Sequence, residues 1–117
     1  MTDRPDRDAL SELLAQERQR TQERVASLRR DYRSIVDGME LTSTDDEHDP
    51  EGVTTAVERS RLEALLDAAE RHLLELDAAD KRLADGTYGR CVSCGTEIPL
   101  ARLRIRPAAS TCVDCAG

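Results

Sequence analysis

The apolar residues in the first third of the chain recur at helical intervals. They are Leu10, Leu14, Val25, Leu28, Tyr32, Ile35 and Met39. From Val25 onward they are separated by alternating steps of three and four residues, which predicts a long amphipathic helix from about Asp6 to Met39. Glu17, Arg18 and Thr21 interrupt this apolar stripe. We therefore expect tighter helix pairing toward Met39 than near the start.

A second apolar stripe of the same period follows in the middle of the chain. It consists of Val57, Leu62, Leu65, Leu66, Ala69, Leu73, Leu76, Ala79 and Leu83. Thr55 and Glu58 have the spacing of a capping box at the start of this helix, and Gly86 suits the left-handed turn that ends one. Neither helix can bury its stripe alone. The short connection between them favours an antiparallel helical hairpin.

The connection between the two helices, expected at about residues 41–54, is strongly acidic. Its acidic residues are Asp45, Asp46, Glu47, Asp49 and Glu51, with no Lys or Arg among them. A hairpin turn needs a few turn-forming residues, but this density of like charge costs electrostatic repulsion. Two interpretations follow. The loop is either a well-solvated turn or an acidic probe that approaches a cation or a basic channel in a partner.

Composition limits both the core and the chemistry of this protein. The 117-residue chain is 35% charged and 38% hydrophobic, and its only aromatic residues are Tyr32 and Tyr88. This balance is typical of long solvated helices and argues against a large globular core. The net charge of −7 argues against nucleic-acid binding by charge alone. His48 lies in the acidic loop and His72 beside the second stripe, so no nucleophile and base form a pair, and we expect no enzyme.

All four cysteines lie in the last quarter of the chain, in two Cys-x-x-Cys pairs. Cys91 pairs with Cys94 and Cys112 with Cys115, a spacing that predicts a tetrahedral zinc site with Zn–S bonds of ~2.3 Å. Four thiolates fill the coordination sphere, so we expect one structural Zn²⁺. Disulfides are the weaker interpretation, because the N-terminal MTDRPDRDAL has no apolar stretch typical of a signal peptide or membrane anchor. We expect a cytoplasmic protein that does not bind a membrane.

The cysteines define a small C-terminal lobe. We expect this lobe at residues 85–117, after a helical hairpin at residues 1–84. Its apolar residues Ile98, Leu100, Leu103 and Ile105 are sufficient for a small core around the metal, and Arg90, Arg102, Arg104 and Arg106 lie inside or beside it. The predicted fold is therefore all-α: a long antiparallel coiled-coil hairpin followed by a four-cysteine zinc lobe.

The lobe carries an ordered set of residues around its cysteines. The set is Tyr88-Gly89-Arg90-Cys91-Val-Ser-Cys94-Gly95-Thr-Glu-Ile98, then Arg102-Leu103, Arg106-Pro107 and Cys112-Val-Asp-Cys115. It closely resembles the signature of the DksA/TraR family of bacterial RNA polymerase-binding proteins, over Asp85 to Cys115. A helical hairpin with an acidic tip is also the architecture of that family. The resemblance implies binding to RNA polymerase rather than to promoter DNA, with Arg102 and Arg106 as possible contacts on the lobe.

The resemblance also implies a role for the acidic tip. In this family the coiled coil enters the secondary channel of the polymerase and brings tip carboxylates near the catalytic Mg²⁺. The family motif Asp-x-x-Asp-x-Ala is matched here by Asp46-x-x-Asp49-x-Glu51, with Glu in place of Ala, and a second register starts at Asp49. The expected tip contacts are therefore Asp45, Asp46, Asp49 and Glu51.

Family members that respond to guanosine tetraphosphate use basic residues at three positions. Counted from the cysteines, these positions are Glu75, Arg106 and Ala116. Only Arg106 is basic, and recognition of phosphate depends on clustered cations. We therefore do not expect this chain to bind the nucleotide.

Two other functions share parts of the sequence pattern. GATA-type DNA-binding fingers have the same Cys-x2-Cys-x17-Cys-x2-Cys spacing, but they continue into a helix and a basic tail. This acidic sequence stops at Gly117, two residues after Cys115, and is not expected to provide them. A zinc-stapled adaptor that binds some other protein through its coiled coil is the second alternative.

Overall fold

The structure, a computed structural model, describes residues 4–42 and 50–116 of the chain. Its helices are α1 (Arg4–Thr42), α2 (Pro50–Asp85) and α3 (Leu100–Ile105). The described residues contain no strand, and one isolated antiparallel bridge joins Arg90 to Glu97. This order confirms the predicted fold class, an all-α hairpin followed by a four-cysteine lobe. Among the described residues, no helix has the length and apolar character needed to span a membrane.

Helix α2 begins earlier than the sequence pattern predicted. It starts at Pro50, so Thr55 and Glu58 lie within the helix and do not form its cap. Proline is well tolerated in the first turn of a helix, because its missing N–H would have no partner there. Together with the extension of α1 to Thr42, this start places helix at both ends of the segment that we expected to be a loop.

The end of α2 is as predicted. Gly86 has a φ of 84°, in the left-handed region that glycine adopts without steric cost. The N–H groups of Thr87 and Tyr88 both donate to the carbonyl oxygen of Arg82, at 2.9 and 3.1 Å. These bonds satisfy a carbonyl group that the end of the helix would otherwise leave without a partner.

The chain divides into two compact units. One contains α1 as far as Thr21 together with the residues from His72 onward, and the other contains the described part of residues 22–71. In the second unit, Val25 and Leu28 of α1 pack with Leu62 and Ala69 of α2. Two polar contacts flank this core: Arg29 with Glu70 at 2.9 Å, and Tyr32 with Glu63 at 3.0 Å. As residue numbers rise along α1, the residues that they contact on α2 have falling numbers, so the helices are antiparallel here.

The first unit has the same antiparallel pairing and the most deeply buried side chains. Leu14 packs with Leu76 and Ala79, each at most 1% exposed. Leu10 belongs to a separate cluster in which it packs with three lobe residues, Cys91, Ile98 and Leu103. The start of α1 is therefore part of the core of the lobe, which the sequence pattern did not indicate.

Three expectations about the apolar stripes are wrong. Thr21 does not interrupt the first stripe but occupies it, 4% exposed, because its hydroxyl donates to the carbonyl oxygen of Glu17 at 2.8 Å. Burial is also tighter near Leu10 than at Leu28, since the lobe covers the start of α1. Val57 is 65% exposed. It lies five residues from Leu62, a rotation of about 140° that turns it off the stripe.

Candidate metal centre

The first cysteine pair lies on a tight turn closed by backbone hydrogen bonds. The N–H of Gly95 donates to the carbonyl oxygen of Cys91 at 2.9 Å, and the N–H of Cys91 donates to that of Thr96 at 2.8 Å. Gly95 has a φ of 78°, which a side chain would strain. This turn returns the chain sharply after Cys94.

The second pair has a similar turn. The N–H groups of Cys115 and Ala116 donate to the carbonyl oxygen of Cys112, at 3.1 and 3.0 Å. The two turns are joined by a bond of 2.8 Å from the N–H of Val92 to the carbonyl oxygen of Ser110. Residues far apart in the chain are thereby held with their sulfur atoms facing one another.

The four sulfur atoms form a cluster of the right size for one zinc ion. All four Sγ atoms lie within 4.8 Å of one another, and those of Cys94 and Cys112 are 3.7 Å apart. A tetrahedron with Zn–S bonds of ~2.3 Å has edges of about 3.8 Å. All four cysteines are free thiols in the structure, so it contains none of the disulfides weighed as an alternative. Both the donor set and its spacing fit Zn²⁺.

The thiols of the cluster differ in acidity. A backbone N–H donated by Cys112 lowers the pKa of Cys91 to about 6, and the neighbouring hydroxyl of Thr96 lowers the pKa of Cys94. Hydrogen bonds with the other three cysteine side chains, of which the one with Cys112 has the largest effect, raise the pKa of Cys115 to about 12. Without metal, the cluster therefore favours the thiolate form of Cys91 and Cys94 and disfavours that of Cys115. A bound dication would stabilise all four thiolates together.

The two lobe arginines expected to contact polymerase lie beside a pocket of about 470 Å³. Arg102 and Arg106 line it, together with Glu75 and Ala116. The Nε of Arg102 donates to the carbonyl oxygen of Thr111 at 3.1 Å, which fixes its side chain. Arg106 has no ion pair among the described residues. Glu75, Arg106 and Ala116, the three positions at which responsive family members have basic residues, therefore lie around one pocket.

The pocket also has an acidic wall that the sequence pattern did not reveal. Glu17 of α1 and His72 of α2 line the same pocket, and their side chains meet at 3.1 Å. The one available signal was the position of Glu17, a charged residue within an otherwise apolar stripe. Nothing in the sequence pairs it with a histidine 55 residues away.

The expected tip contacts lie outside the described residues. Asp45, Asp46 and Asp49 fall in the segment between α1 and α2. Glu51 falls within the bounds of α2, but its side chain is also outside the description. The role of the tip therefore stays a prediction.

The lobe matches a known family of zinc fingers. The profile of the prokaryotic dksA/traR C4-type zinc finger matches residues 86–117, which include all four cysteines. The C-terminal lobe of this chain is thus similar to the zinc finger of DksA/TraR proteins. Together with the sulfur cluster, the match identifies the metal as one structural zinc.

Two relatives share sequence beyond the finger itself. A protein of Escherichia coli K12 is 43% identical over 47 residues, which cover 39% of this chain and 31% of the relative. One of Haemophilus influenzae is 38% identical over 68 residues, which cover 57% of this chain and 47% of the relative. Both are named RNA polymerase-binding transcription factor DksA. The matched segments therefore span less than half of these relatives.

A solved structure matches nearly the whole chain. The transcription factor DksA2 from Pseudomonas aeruginosa superposes with a TM-score of 0.78 at 27% identity, over 97% of this chain and 81% of that one. The similarity extends far beyond the finger and includes the two long helices.

Proposed function

We propose that this chain is a transcription regulator that acts by binding RNA polymerase. The observation that carries the proposal is the combination of the four-cysteine cluster with two long antiparallel helices, matched over 97% of the chain by DksA2. Relatives that share the finger are named as RNA polymerase-binding transcription factors. Regulation by direct contact with the polymerase also suits a chain of net charge −7, which overall charge does not attract to DNA.

In this proposal the zinc lobe is a structural support for the contact surface. Cys91, Cys94, Cys112 and Cys115 ligate the zinc and fix the path of the chain around it. Leu103 of α3 points into the lobe core at 2% exposure, whereas the neighbouring Ile105 is 82% exposed. The metal and Leu103 together hold α3 so that its other side faces outward.

The outward side of α3 has the composition of a protein contact surface. Ile105 is a large apolar side chain left in solvent, and Arg106 beside it has no ion pair among the described residues. Arginines next to exposed apolar residues are enriched at protein interfaces. We assign Arg102, Ile105 and Arg106 to the contact with polymerase.

The acidic tip completes the proposed mechanism. Asp45, Asp46, Asp49 and Glu51 would reach the catalytic centre through the secondary channel, where their charge would act on the Mg²⁺ and on nearby mobile elements. The zinc lobe and the helices would supply affinity, and the tip would supply the effect on transcription. These two activities are therefore separable by substitution.

A binding experiment with purified components tests the proposal. Zinc-loaded protein is mixed with core RNA polymerase, and complex formation is measured by gel filtration and by competition. We expect a one-to-one complex that is weakened at least tenfold by Ile105→Glu with Arg106→Glu. Arg24→Glu with Ser27→Glu, at exposed positions of α1, is the charge-matched control. Absence of a complex with core polymerase would favour the adaptor function, in which the coiled coil binds some other protein.

A further inference from the structure

The buried core of the zinc lobe is completed by a residue from the start of α1. Leu10 is 1% exposed and belongs to the cluster that contains Cys91, Ile98 and Leu103. The partly buried residues packed against this cluster are Leu13, Tyr88, Leu100, Ala109, Cys112 and Cys115. Three of the four zinc-binding cysteines therefore belong to, or pack against, the apolar cluster that Leu10 enters.

Two polar contacts lie just before Leu10 on α1. The Nη2 of Arg7 donates to the carbonyl oxygen of Leu83 at 2.7 Å, in the last turn of α2, where the helix itself supplies no donor. Asp6 is 3.8 Å from Arg104 of α3, with 38% and 60% of the two side chains exposed. An ion pair this exposed contributes little to stability. Burial of Leu10 is therefore the main contact between the start of α1 and the lobe.

Burial of Leu10 is coupled to the metal through the folding of the lobe. The four sulfur atoms are held together only when the lobe is folded, so the free energy of zinc binding includes that of folding the lobe. The side chain of Leu10 is removed from water by the folded lobe, and this burial favours the folded form. A residue that donates no atom to the metal thereby contributes to the affinity for it.

We propose that Leu10 is a positioning residue for the zinc site and sets the affinity of the lobe for the metal. It acts through the cluster that holds Cys91, Cys112 and Cys115. The finger is thus not a self-contained module, because its metal site includes a segment of α1. The proposal rests on the structural zinc and not on the proposed binding to polymerase.

Leu14 provides a matched control. It is also 1% exposed and lies four residues further along α1, but it packs with Leu76 and Ala79 of α2. Truncation of either leucine to alanine removes the same atoms and leaves a cavity in a buried cluster. Only the cavity at Leu10 lies among the zinc-binding cysteines. The two variants therefore separate an effect on the metal from a general loss of stability.

Competition for zinc between the full-length protein and chelators of graded affinity tests the proposal, at constant pH. We expect Leu10→Ala to raise the Kd for zinc about thirtyfold and Leu14→Ala to raise it by less than about threefold. Leu10→Met conserves the side-chain volume and should keep the Kd within about threefold of the parent value. Equal changes for the two alanine variants, or no change for Leu10→Ala, would overturn the proposal.

A milder substitution covers the case in which Leu10→Ala fails to fold. Leu13 is partly buried at the edge of the same cluster. Leu13→Ala removes less buried surface and should raise the Kd for zinc about fivefold. Circular dichroism should show that this variant keeps the helical intensity of the parent. A folded Leu13→Ala chain with the zinc affinity of the parent would equally overturn the proposal.

Discussion

The hydroxyl of Tyr88 donates a hydrogen bond of 2.7 Å to the backbone carbonyl oxygen of Pro107. The ring of Tyr88 packs against two buried clusters of the first unit, one around Leu14 and Leu76 and one around Leu103 in the lobe. A single side chain just after the end of α2 is thus tied to the segment that follows α3. We infer that Tyr88 fixes the lobe at the end of the helices.

Removal of this hydroxyl should weaken the first unit. Tyr88→Phe keeps the ring but leaves the Pro107 carbonyl without this donor, at an expected cost of about 1–2 kcal/mol in the free energy of unfolding. Chemical denaturation of the zinc-loaded protein measures this cost. Tyr32→Phe is the matched control, because its hydroxyl bonds to the exposed Glu63 and should contribute less than about 0.5 kcal/mol. Equal losses for the two variants would contradict the role of Tyr88.

The same residue predicts a loss of stability at alkaline pH. Burial raises the pKa of Tyr88 to about 12, whereas a tyrosine in an unfolded chain ionises near ~10. Above pH ~10 the unfolded state loses this proton first, so stability falls as the pH rises toward 12. Absorbance of tyrosinate in the Tyr32→Phe variant, where Tyr88 is the only tyrosine, gives its pKa directly. A midpoint near 10, the ordinary value, would contradict the prediction.

Removal of zinc should unfold the lobe and spare most of the helical signal. Among the described residues, the buried core of the lobe consists of Leu10, Cys91, Ile98 and Leu103, too few to order this segment without metal. Elemental analysis should find one zinc per chain, falling to ~0 after Cys112→Ser. Circular dichroism should keep most of its helical intensity, while lobe resonances collapse in NMR spectra. Ser93→Ala, within the first cysteine turn, is the control and should retain zinc. A metal-free chain with a folded lobe would show that zinc is dispensable.

The features predicted well from sequence are those that depend on neighbouring residues. Cys91 and Cys94 have two residues between them, so their spacing alone predicts a shared metal, and Gly86 ends α2 through its own backbone. The contacts missed join distant segments. Glu17 meets His72 and Leu10 enters the lobe core because of helix register and lobe position. Apolar periodicity identifies which side of a helix is buried but not which residues cover it.

We expect guanosine tetraphosphate to have no effect through this protein. Glu17 and Glu75 line its pocket together with Arg82, Arg102 and Arg106, so a polyanion there would lie beside two carboxylates as well as the arginines. In transcription assays the parent should give the same activity with and without nucleotide, and Arg106→Ala should change nothing in that comparison. Glu75→Lys with Ala116→Lys would place a basic residue at all three of the family positions and should create a response. A nucleotide response of the parent that Arg106→Ala abolishes would show the prediction wrong.

The acidic tip should control the effect on transcription rather than the affinity for polymerase. Asp46→Asn with Asp49→Asn keeps side-chain size and turn propensity but removes the charge that a catalytic Mg²⁺ or a basic channel would feel. We expect the double variant to lose its effect at a sensitive promoter while its Kd for core polymerase changes by less than about fivefold, because the lobe and helices supply most of the contact. Glu51→Gln should matter less, since the family has a small residue there. Full regulation by the double variant would reduce the acidic segment to a solvated turn and exclude the secondary-channel mechanism for this chain.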